Sequence, residues 1–211
     1  MNADDFIRDN SELLAPPLIP ELRLHLASEV VPLWRKTEEE LAEIGLPPPY
    51  WAFAWAGGQA LARYILDHPE IARGKRVLDF GAGSGLVALA AAKAGAAHVI
   101  AADIDPFAIA AAARNARAND LIIETTSQDM IGSGDVFDLI LVGDMCYERP
   151  LAERLLNWLK ASRAEVLLGD PGRSYFPKSG LTSLAVYSVP TTRELEDREI
   201  RETGVWRMNR D

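Results

Sequence analysis

The sequence predicts an α/β fold in which a mostly parallel sheet carries helices on both faces. From residue 51 onward the pattern changes, and short apolar runs alternate with longer helical stretches. A glycine-rich turn follows the first of these runs, and two further strand-like runs close the chain. Strands that alternate with helices form parallel sheets, whereas two consecutive strands at the end of a chain pair as an antiparallel edge.

The individual elements follow from the same alternation. The seven predicted strands are Val77–Phe80, His98–Asp103, Ile122–Thr125, Phe137–Gly143, Glu165–Gly169, Leu184–Val189 and Val205–Met208. The four predicted helices are Gly57–Leu66, Leu86–Ala94, Pro106–Asn119 and Pro150–Lys160. The second and third helices carry mostly alanine on their buried sides, which favours helix formation and lets them lie close to the sheet.

The first 50 residues differ from the rest of the chain because prolines interrupt them repeatedly. Leu22, Leu24 and Leu26 alternate with polar residues, which predicts a short strand. Thr37 followed by three glutamates is typical of a helix N-terminus. We therefore expect an N-terminal extension over residues 1–50 that packs on the core, and a main domain over residues 51–211.

Composition restricts the function. The formal net charge of −9 over 211 residues disfavours nucleic acid as a partner, because proteins that bind it neutralise phosphates with Lys and Arg. One cysteine, Cys146, and three scattered histidines predict no metal site. The N-terminal segment has neither an apolar signal core nor an Arg-rich leader, and no apolar run is long enough to cross a bilayer. These features predict a cytoplasmic protein of bacterial type, without a membrane partner.

A glycine loop joins the first predicted strand to its helix in the segment Val77–Leu86. Its spacing is G-x-G-x-G, and Leu86 stands where a dinucleotide fingerprint has its third glycine. Asp79, just before the loop, suits a cationic amino-acid group. Asp103, about twenty residues beyond the loop, suits the two hydroxyls of a ribose. The loop therefore predicts a Rossmann-like site for S-adenosylmethionine rather than for a nicotinamide cofactor.

Other residues are expected to complete this cofactor site. Gly81 and Gly83 let the backbone approach the ligand closely, and Ile104 lies next to the ribose-binding acid. Asp129 and Met130 follow the third strand-like run, where such folds cover the adenine. We expect Asp129 to accept a hydrogen bond from the exocyclic amine of the adenine, and Met130 to pack on the adenine ring. S-adenosylhomocysteine is the product that this cofactor leaves.

The chain resembles the seven-strand lysine methyltransferases related to the electron transfer flavoprotein β-subunit lysine methyltransferase. The resemblance runs from about Pro48 to Pro177. It rests on four segments: Pro49–Leu61 (PYWAFAWAGGQAL), the glycine loop, Gly143–Tyr147 (GDMCY) and Gly169–Arg173 (GDPGR). It implies a protein-lysine N-methyltransferase with the β subunit of an electron transfer flavoprotein as substrate. Since the chain lacks the mitochondrial leader of the animal enzymes, we expect a bacterial counterpart.

Within that family, Asp144 is expected to receive the lysine ammonium, with Tyr147 at the lip of the channel. Trp51 and Trp55 are expected to form its walls, because aromatic faces attract sulfonium and ammonium groups. A purely core role for both tryptophans remains open. Asp170 and Arg173 are expected to hold the substrate, to brace Asp144 through an ion pair, or only to form a turn. We also expect Cys146 to be accessible to thiol reagents.

Several alternatives to this function remain open. One is a methyltransferase that acts on a ribosomal protein, on a small molecule or on nucleic acid. For the last, the [DN]-P-P-[FY] motif would be expected after the fourth strand, where Met145 and Cys146 replace both prolines. Another is a cofactor-binding module without activity. A nucleophile elbow is excluded by Ala82, and a P-loop by the absence of Lys followed by Ser or Thr.

Overall fold

The computed structural model describes residues 2–28, 48–134, 136–191 and 200–210. The helices are α1 (Ala3–Asp9), α2 (Ala56–Asp67), α3 (Leu86–Lys93), α4 (Pro106–Ala118) and α5 (Arg149–Ala161). The strands are β1 (Glu12–Leu14), β2 (Leu24–Leu26), β3 (Arg76–Phe80), β4 (His98–Ala102), β5 (Glu124–Thr126), β6 (Leu139–Gly143), β7 (Glu165–Asp170), β8 (Leu181–Pro190) and β9 (Ile200–Met208). Short 3₁₀ turns cover Tyr50–Ala52 and Pro69–Ile71.

In the described part of the chain, seven strands form one sheet in the order β5-β4-β3-β6-β7-β9-β8. The five strands from β5 to β7 are parallel. Strand β9 runs antiparallel to β7, and β8 runs antiparallel to β9. Because the order reverses between β3 and β6, the loops after these two strands diverge and leave a crevice at the carboxyl edge of the sheet.

Side chains alternate between the two faces of each strand, so each face has its own apolar core. One face, which includes Val77 and Leu139, packs against α2, α3 and α4. The other face, which includes Leu78 and Ile140, packs against α5. The predicted fold class is thereby confirmed: a mostly parallel seven-strand sheet with an antiparallel edge pair and helices on both faces.

The N-terminal residues form a small layer against α4. Strands β1 and β2 pair antiparallel, with Glu12 opposite Leu26. Helix α1 begins at the cap Asn2 and packs on α4, where its Asp4 forms ion pairs with two arginines of that helix. The predicted short strand at residues 22–26 corresponds to β2. The helix expected from Thr37 lies outside the described residues.

Most predicted elements agree with the observed ones to within a few residues. The prediction for β5 is wrong at its start, because the strand begins at Glu124 and Ile122 is exposed. Neither α1 nor β1 was predicted, since both are short and have few buried residues. Among the described helices, none combines the length and the apolar character needed to cross a membrane.

Candidate active site

A cavity of about 510 Å³ opens at the carboxyl edge of the parallel strands. Its volume lies in the range of small-molecule sites, and its position at the reversal of strand order is where open α/β sheets bind ligands. The loops after β3, β4, β5, β6 and β7 line it, together with α5 and the segment before α2. The lining includes Trp51, Trp55, Gly81, Gly83, Asp103, Ile104, Asp129, Met130, Asp144, Tyr147, Arg154 and Arg173.

The glycine loop after β3 adopts a conformation that other residues would resist. Gly81, Gly83 and Gly85 have φ angles of 68°, 51° and 79°, all in the left-handed region. A Cβ atom on Gly81 would collide with the side chain of Met145, and one on Gly85 would lie 2.8 Å from the Cβ atom of Ala112. Both the turn and the packing therefore require glycine at these positions. Because glycine has no side chain, the loop backbone stays open to the cavity.

Asp103 lies immediately after β4 and is held by backbone groups on both sides. Its Oδ2 accepts a hydrogen bond from the N–H of Gly83 (2.9 Å), and its Oδ1 accepts one from the N–H of Asp105 (3.0 Å). Burial raises the pKa of this carboxyl. The two backbone hydrogen bonds lower it, but they only partly offset the effect of burial. Each carboxylate oxygen keeps a further lone pair for a ligand. The neighbouring Ile104 leaves 75% of its surface exposed at the cavity rim, an apolar surface on which a ring could pack.

Asp79 does not reach the cavity. Its side chain is buried between β3 and α3, where Oδ2 accepts a hydrogen bond from the N–H of Ala88 (2.8 Å). Burial raises the pKa of Asp79 to about 7. Its position just before the glycine loop predicts direct contact with the amino-acid end of the cofactor. The structure instead places it behind the glycine loop, where it fixes the start of α3.

The loop after β5 brings two predicted residues to the cavity. Asp129 accepts from the N–H of Ile131 at Oδ1 (3.0 Å) and pairs with Arg154 of α5 at Oδ2 (2.9 Å). These contacts lower the pKa of Asp129, and the backbone hydrogen bond from Ile131 has the largest effect. Met130 is almost fully buried in the core on the α5 face and still lines the cavity. Arg154 was not anticipated from the sequence, because nothing in the helical pattern of α5 distinguishes it from a solvent-exposed arginine.

Asp144 follows β6 directly and has a φ angle of 58°, which is unusual for a residue with a side chain. Its carboxylate is buried and receives several hydrogen bonds. Oδ2 accepts from the N–H of Gly58 in the first turn of α2 (3.0 Å). Oδ1 accepts from both Nε (3.0 Å) and Nη2 (2.7 Å) of Arg173. The side chain is therefore fixed at the cavity wall by a helix N-terminus and by a guanidinium group.

Arg173 is itself positioned by the loop after β7. The buried Asp170 accepts at Oδ1 from the N–H groups of Gly172 and Arg173, both at 2.7 Å. Burial raises the pKa of Asp170 to about 6. The guanidinium carbon of Arg173 lies 5.6 Å from the ring centroid of Trp55, in a cation–π contact. Two of the expected roles are thus divided between these two residues: Asp170 forms the turn, and Arg173 pairs with Asp144.

Aromatic side chains form the mouth of the cavity next to Asp144. The ring of Tyr50 lies 6.0 Å from the rings of both Trp55 and Tyr147, and the indole N–H of Trp55 donates to the carbonyl oxygen of Tyr50 (2.8 Å). Tyr147 is 45% exposed, as expected of a residue at the lip. Trp51 is buried in the cluster that joins α1 to α4, and it also lines the cavity.

The structure brings ten of the eleven residues proposed from the sequence to one cavity, Asp79 being the exception. No role was predicted for Tyr50, although it lies within the segment Pro49–Leu61, or for the backbone N–H of Gly58. The sequence also predicts an accessible Cys146. This thiol is instead buried beneath the loop after β6, and burial raises its pKa to about 12, so Cys146 does not act as a nucleophile here.

Comparison with known sequences finds methyltransferases as relatives of this chain. A family model described as ribosomal protein L11 methyltransferase (PrmA) matches residues 59–142. The electron transfer flavoprotein beta subunit lysine methyltransferase of Danio rerio is 40% identical, over 97% of this chain and 83% of its own length. The human protein of the same name is 36% identical, over 95% of this chain and 80% of its own length. A ribosomal protein L11 methyltransferase of Pelobacter propionicus is 32% identical, and 60% of its length is covered.

Solved structures share the fold. The ribosomal protein L11 methylase of Lactobacillus delbrueckii subsp. bulgaricus aligns with a TM-score of 0.55 at 22% identity, over 75% of this chain and 81% of its own. Magnesium protoporphyrin IX methyltransferase of Synechocystis, solved with bound S-adenosylmethionine, aligns with a TM-score of 0.55 at 18% identity, over 72% of this chain and 80% of its own. At these identities the likeness establishes the architecture alone.

Proposed function

Because this chain belongs to the family of electron transfer flavoprotein β-subunit lysine methyltransferases, we propose that it transfers methyl groups from S-adenosylmethionine to lysine side chains of that β subunit. One observation carries the proposal. A single cavity joins the glycine loop and Asp103 on one side to the Asp144 carboxylate, set among aromatic rings, on the other. The first half suits a nucleoside with an amino-acid tail, and the second suits an alkylammonium group.

The residues of the first half fit the cofactor. Asp103 has lone pairs for the two ribose hydroxyls, and the backbone at Gly81 and Gly83 leaves room for the amino-acid end. Ile104 and Met130 offer apolar surface for the adenine ring. When bound, S-adenosylmethionine supplies a methyl group that is attached to a positively charged sulfur. The lysine nitrogen takes this methyl group, the electron pair of the carbon–sulfur bond stays on the sulfur, and S-adenosylhomocysteine is left.

The residues of the second half act on the lysine. An ordinary lysine has a pKa near 10.4, so only about one molecule in 2,500 is neutral at pH 7, a handicap of roughly 4–5 kcal/mol. Asp144 receives the ammonium and orients it, while Tyr50, Trp55 and Tyr147 surround the alkyl chain and exclude water. The proton leaves to water before attack. The nearby positive charge of the cofactor favours that loss.

A ribosomal protein is a second candidate substrate. Its support is the match of residues 59–142 to the L11 methyltransferase family and the similarity to the Pelobacter propionicus protein. A protein substrate of either kind agrees with the net charge of −9, because an acidic chain attracts basic partner surfaces, whereas a phosphate backbone would be repelled.

The test is methylation of purified substrates with radiolabelled S-adenosylmethionine. We expect label on the β subunit of electron transfer flavoprotein and a loss of at least a hundredfold in the Asp144→Asn variant. Asp120→Asn is the matched control, since Asp120 is exposed at the end of α4, far from the cavity. Label on ribosomal protein but not on the flavoprotein would favour the second candidate. Binding of S-adenosylhomocysteine without label on any protein would contradict both.

A further inference from the structure

The carboxylate that receives the lysine presents an electrostatic difficulty. Asp144 is buried, and a carboxylate in such a place holds a neighbouring ammonium in its protonated form, because a nearby negative charge raises the pKa of a lysine. The protonated amine has no lone pair for attack. A site of this kind therefore needs a group that lets the carboxylate orient the amine while weakening its hold on the proton.

Arg173 has the geometry for that purpose. Two of its nitrogens donate to Oδ1 of Asp144, at 3.0 and 2.7 Å, whereas Oδ2 receives the N–H of Gly58. The pair is well shielded from water, since the side chains of Arg173 and Asp144 are 17% and 9% exposed. A guanidinium stays charged throughout the range in which lysine titrates. Its charge is therefore present at every pH at which the enzyme works.

We propose that Arg173 is a positioning residue whose charge offsets that of Asp144, so that this carboxylate orients the lysine amine without keeping it protonated. The proposal rests on the function proposed above. The Asp170 turn and the Trp55 ring hold the guanidinium in place from two sides. Arg173 acts through Asp144 and needs no contact with the methyl group.

Other titratable groups border the same region and have to be considered. They are Asp103 after β4, Cys146, Tyr147 and Glu148 in the loop after β6, Asp170 at the end of β7, and Tyr50 before α2. Cys146 and Tyr147 have raised pKa values, chiefly through burial, and stay neutral at pH 7–9. Asp170 adds negative charge near Asp144, which makes a balancing cation more necessary.

The experiment measures single-turnover methylation of the flavoprotein β subunit from pH 7 to pH 10. Without the guanidinium, the apparent pKa of the reacting lysine should rise by about one unit. The Arg173→Gln variant should then be about tenfold slower than wild type at pH 7.5. The deficit should shrink once the pH exceeds the apparent pKa of the reacting lysine in the wild type, which the positive charge of the cofactor lowers from its ordinary 10.4. The half-saturating concentration of the protein substrate for the variant should stay the same or fall, because a lone carboxylate binds the ammonium at least as well.

Three further variants separate this role from a structural one. Arg173→Lys keeps the charge up to about pH 9 and should follow the wild-type pH profile over that range. In an Asp144→Asn background, Arg173→Gln should have no additional effect, because the residue acts through Asp144. Arg163→Gln, exposed before β7 at the opposite edge of the sheet, should match wild type. All variants should bind S-adenosylhomocysteine with wild-type affinity by calorimetry.

A deficit of Arg173→Gln that is constant across the pH range would overturn the inference, as would an additional loss in the Asp144→Asn background. These outcomes differ from failure of the proposed function. If the wild type labels another protein instead of the flavoprotein, the same pH series on that protein decides the role of Arg173. If the wild type labels no protein at all, both proposals are wrong.

Discussion

The backbone of Gly57, in the first turn of α2, touches the backbone of Gly169 in β7. A Cβ atom on either residue would collide with the carbonyl oxygen of the other, and one on Gly57 would also come within 2.5 Å of Oδ2 of Asp144. This close approach allows the N–H of Gly58 to reach the Asp144 carboxylate. The glycine pair therefore determines where the helix N-terminus meets the strand ends, and so where the candidate lysine-binding acid is held.

We expect the Gly57→Ala variant to lose both stability and activity. The added methyl group has backbone on one side and the Asp144 carboxylate on the other, so α2 must shift, at a cost of about 1–3 kcal/mol. Urea unfolding should show that loss, and methyl transfer should fall at least tenfold. Gly58→Ala is the matched control, since its Cβ would meet only Val87 Cγ2, at 3.9 Å. Equal behaviour of the two variants would contradict the argument.

The Asp103→Asn variant should bind S-adenosylhomocysteine at least tenfold more weakly. An aspartate at this position accepts from two backbone N–H groups and still has lone pairs for the ribose hydroxyls. An amide offers one acceptor oxygen and turns its NH₂ group toward one of those N–H donors. Isothermal titration calorimetry measures the difference, with Asp120→Asn as control because asparagine tolerates the φ angle of 54° there. Unchanged affinity would remove Asp103 from the cofactor site.

Asp79 should make the protein less stable as the pH rises from about 4 to 7. Burial raises the pKa of Asp79 to about 7, whereas an unfolded aspartate titrates near 3.9. Between these values the folded state binds one more proton than the unfolded state. The free energy of unfolding therefore falls with increasing pH, by up to about 1.4 kcal/mol per unit from this group, and levels off above pH 7.

The Asp79→Asn variant isolates this contribution. It removes the titration and keeps an oxygen for the N–H of Ala88. The free energy of unfolding of the variant minus that of the wild type should increase between pH 4.5 and 7 and stay constant above pH 7. Denaturant unfolding at half-unit intervals provides the measurement. A difference between the two proteins that is constant with pH would mean that Asp79 titrates normally in the folded state.

The sequence was sufficient for the sheet and for bringing most of the proposed site residues to one cavity, because both follow from local patterns. Apolar runs between helices predicted the parallel strands, and residues just after those strands necessarily meet at one edge. Side chains alternate between the two faces of β3, so Asp79 lies on the same face as Val77, which packs against α3. The pattern of the strand therefore already indicates that Asp79 lies behind the glycine loop and not in the cavity. Helix α1 escaped prediction because Ile7 alone among its residues is buried.

The contacts within the site were not predictable to the same degree. Asp144 and Arg173 are 29 residues apart, and their ion pair depends on a left-handed backbone at Asp144 and on the turn that Asp170 closes. The Gly58 hydrogen bond depends on how closely α2 approaches the sheet. Such features arise from tertiary packing. The sequence offered Arg173 as a brace only as one of several roles.

Cys146 provides a test of the packing around the candidate lysine-binding loop. The thiol is 1% exposed, and burial, followed by the charge of Asp170, raises its pKa to about 12. Thiol reagents attack the thiolate, so at pH 8 its reactivity should be lower than that of a free cysteine by on the order of a thousandfold. Because the chain has one cysteine, the release of thionitrobenzoate from Ellman's reagent reports this residue without background.

We expect slow release of thionitrobenzoate from the native protein, and immediate release of one equivalent in guanidinium chloride. Rapid stoichiometric reaction of the native protein would mean that the loop after β6 opens in solution, which would also release Asp144 from the position described above.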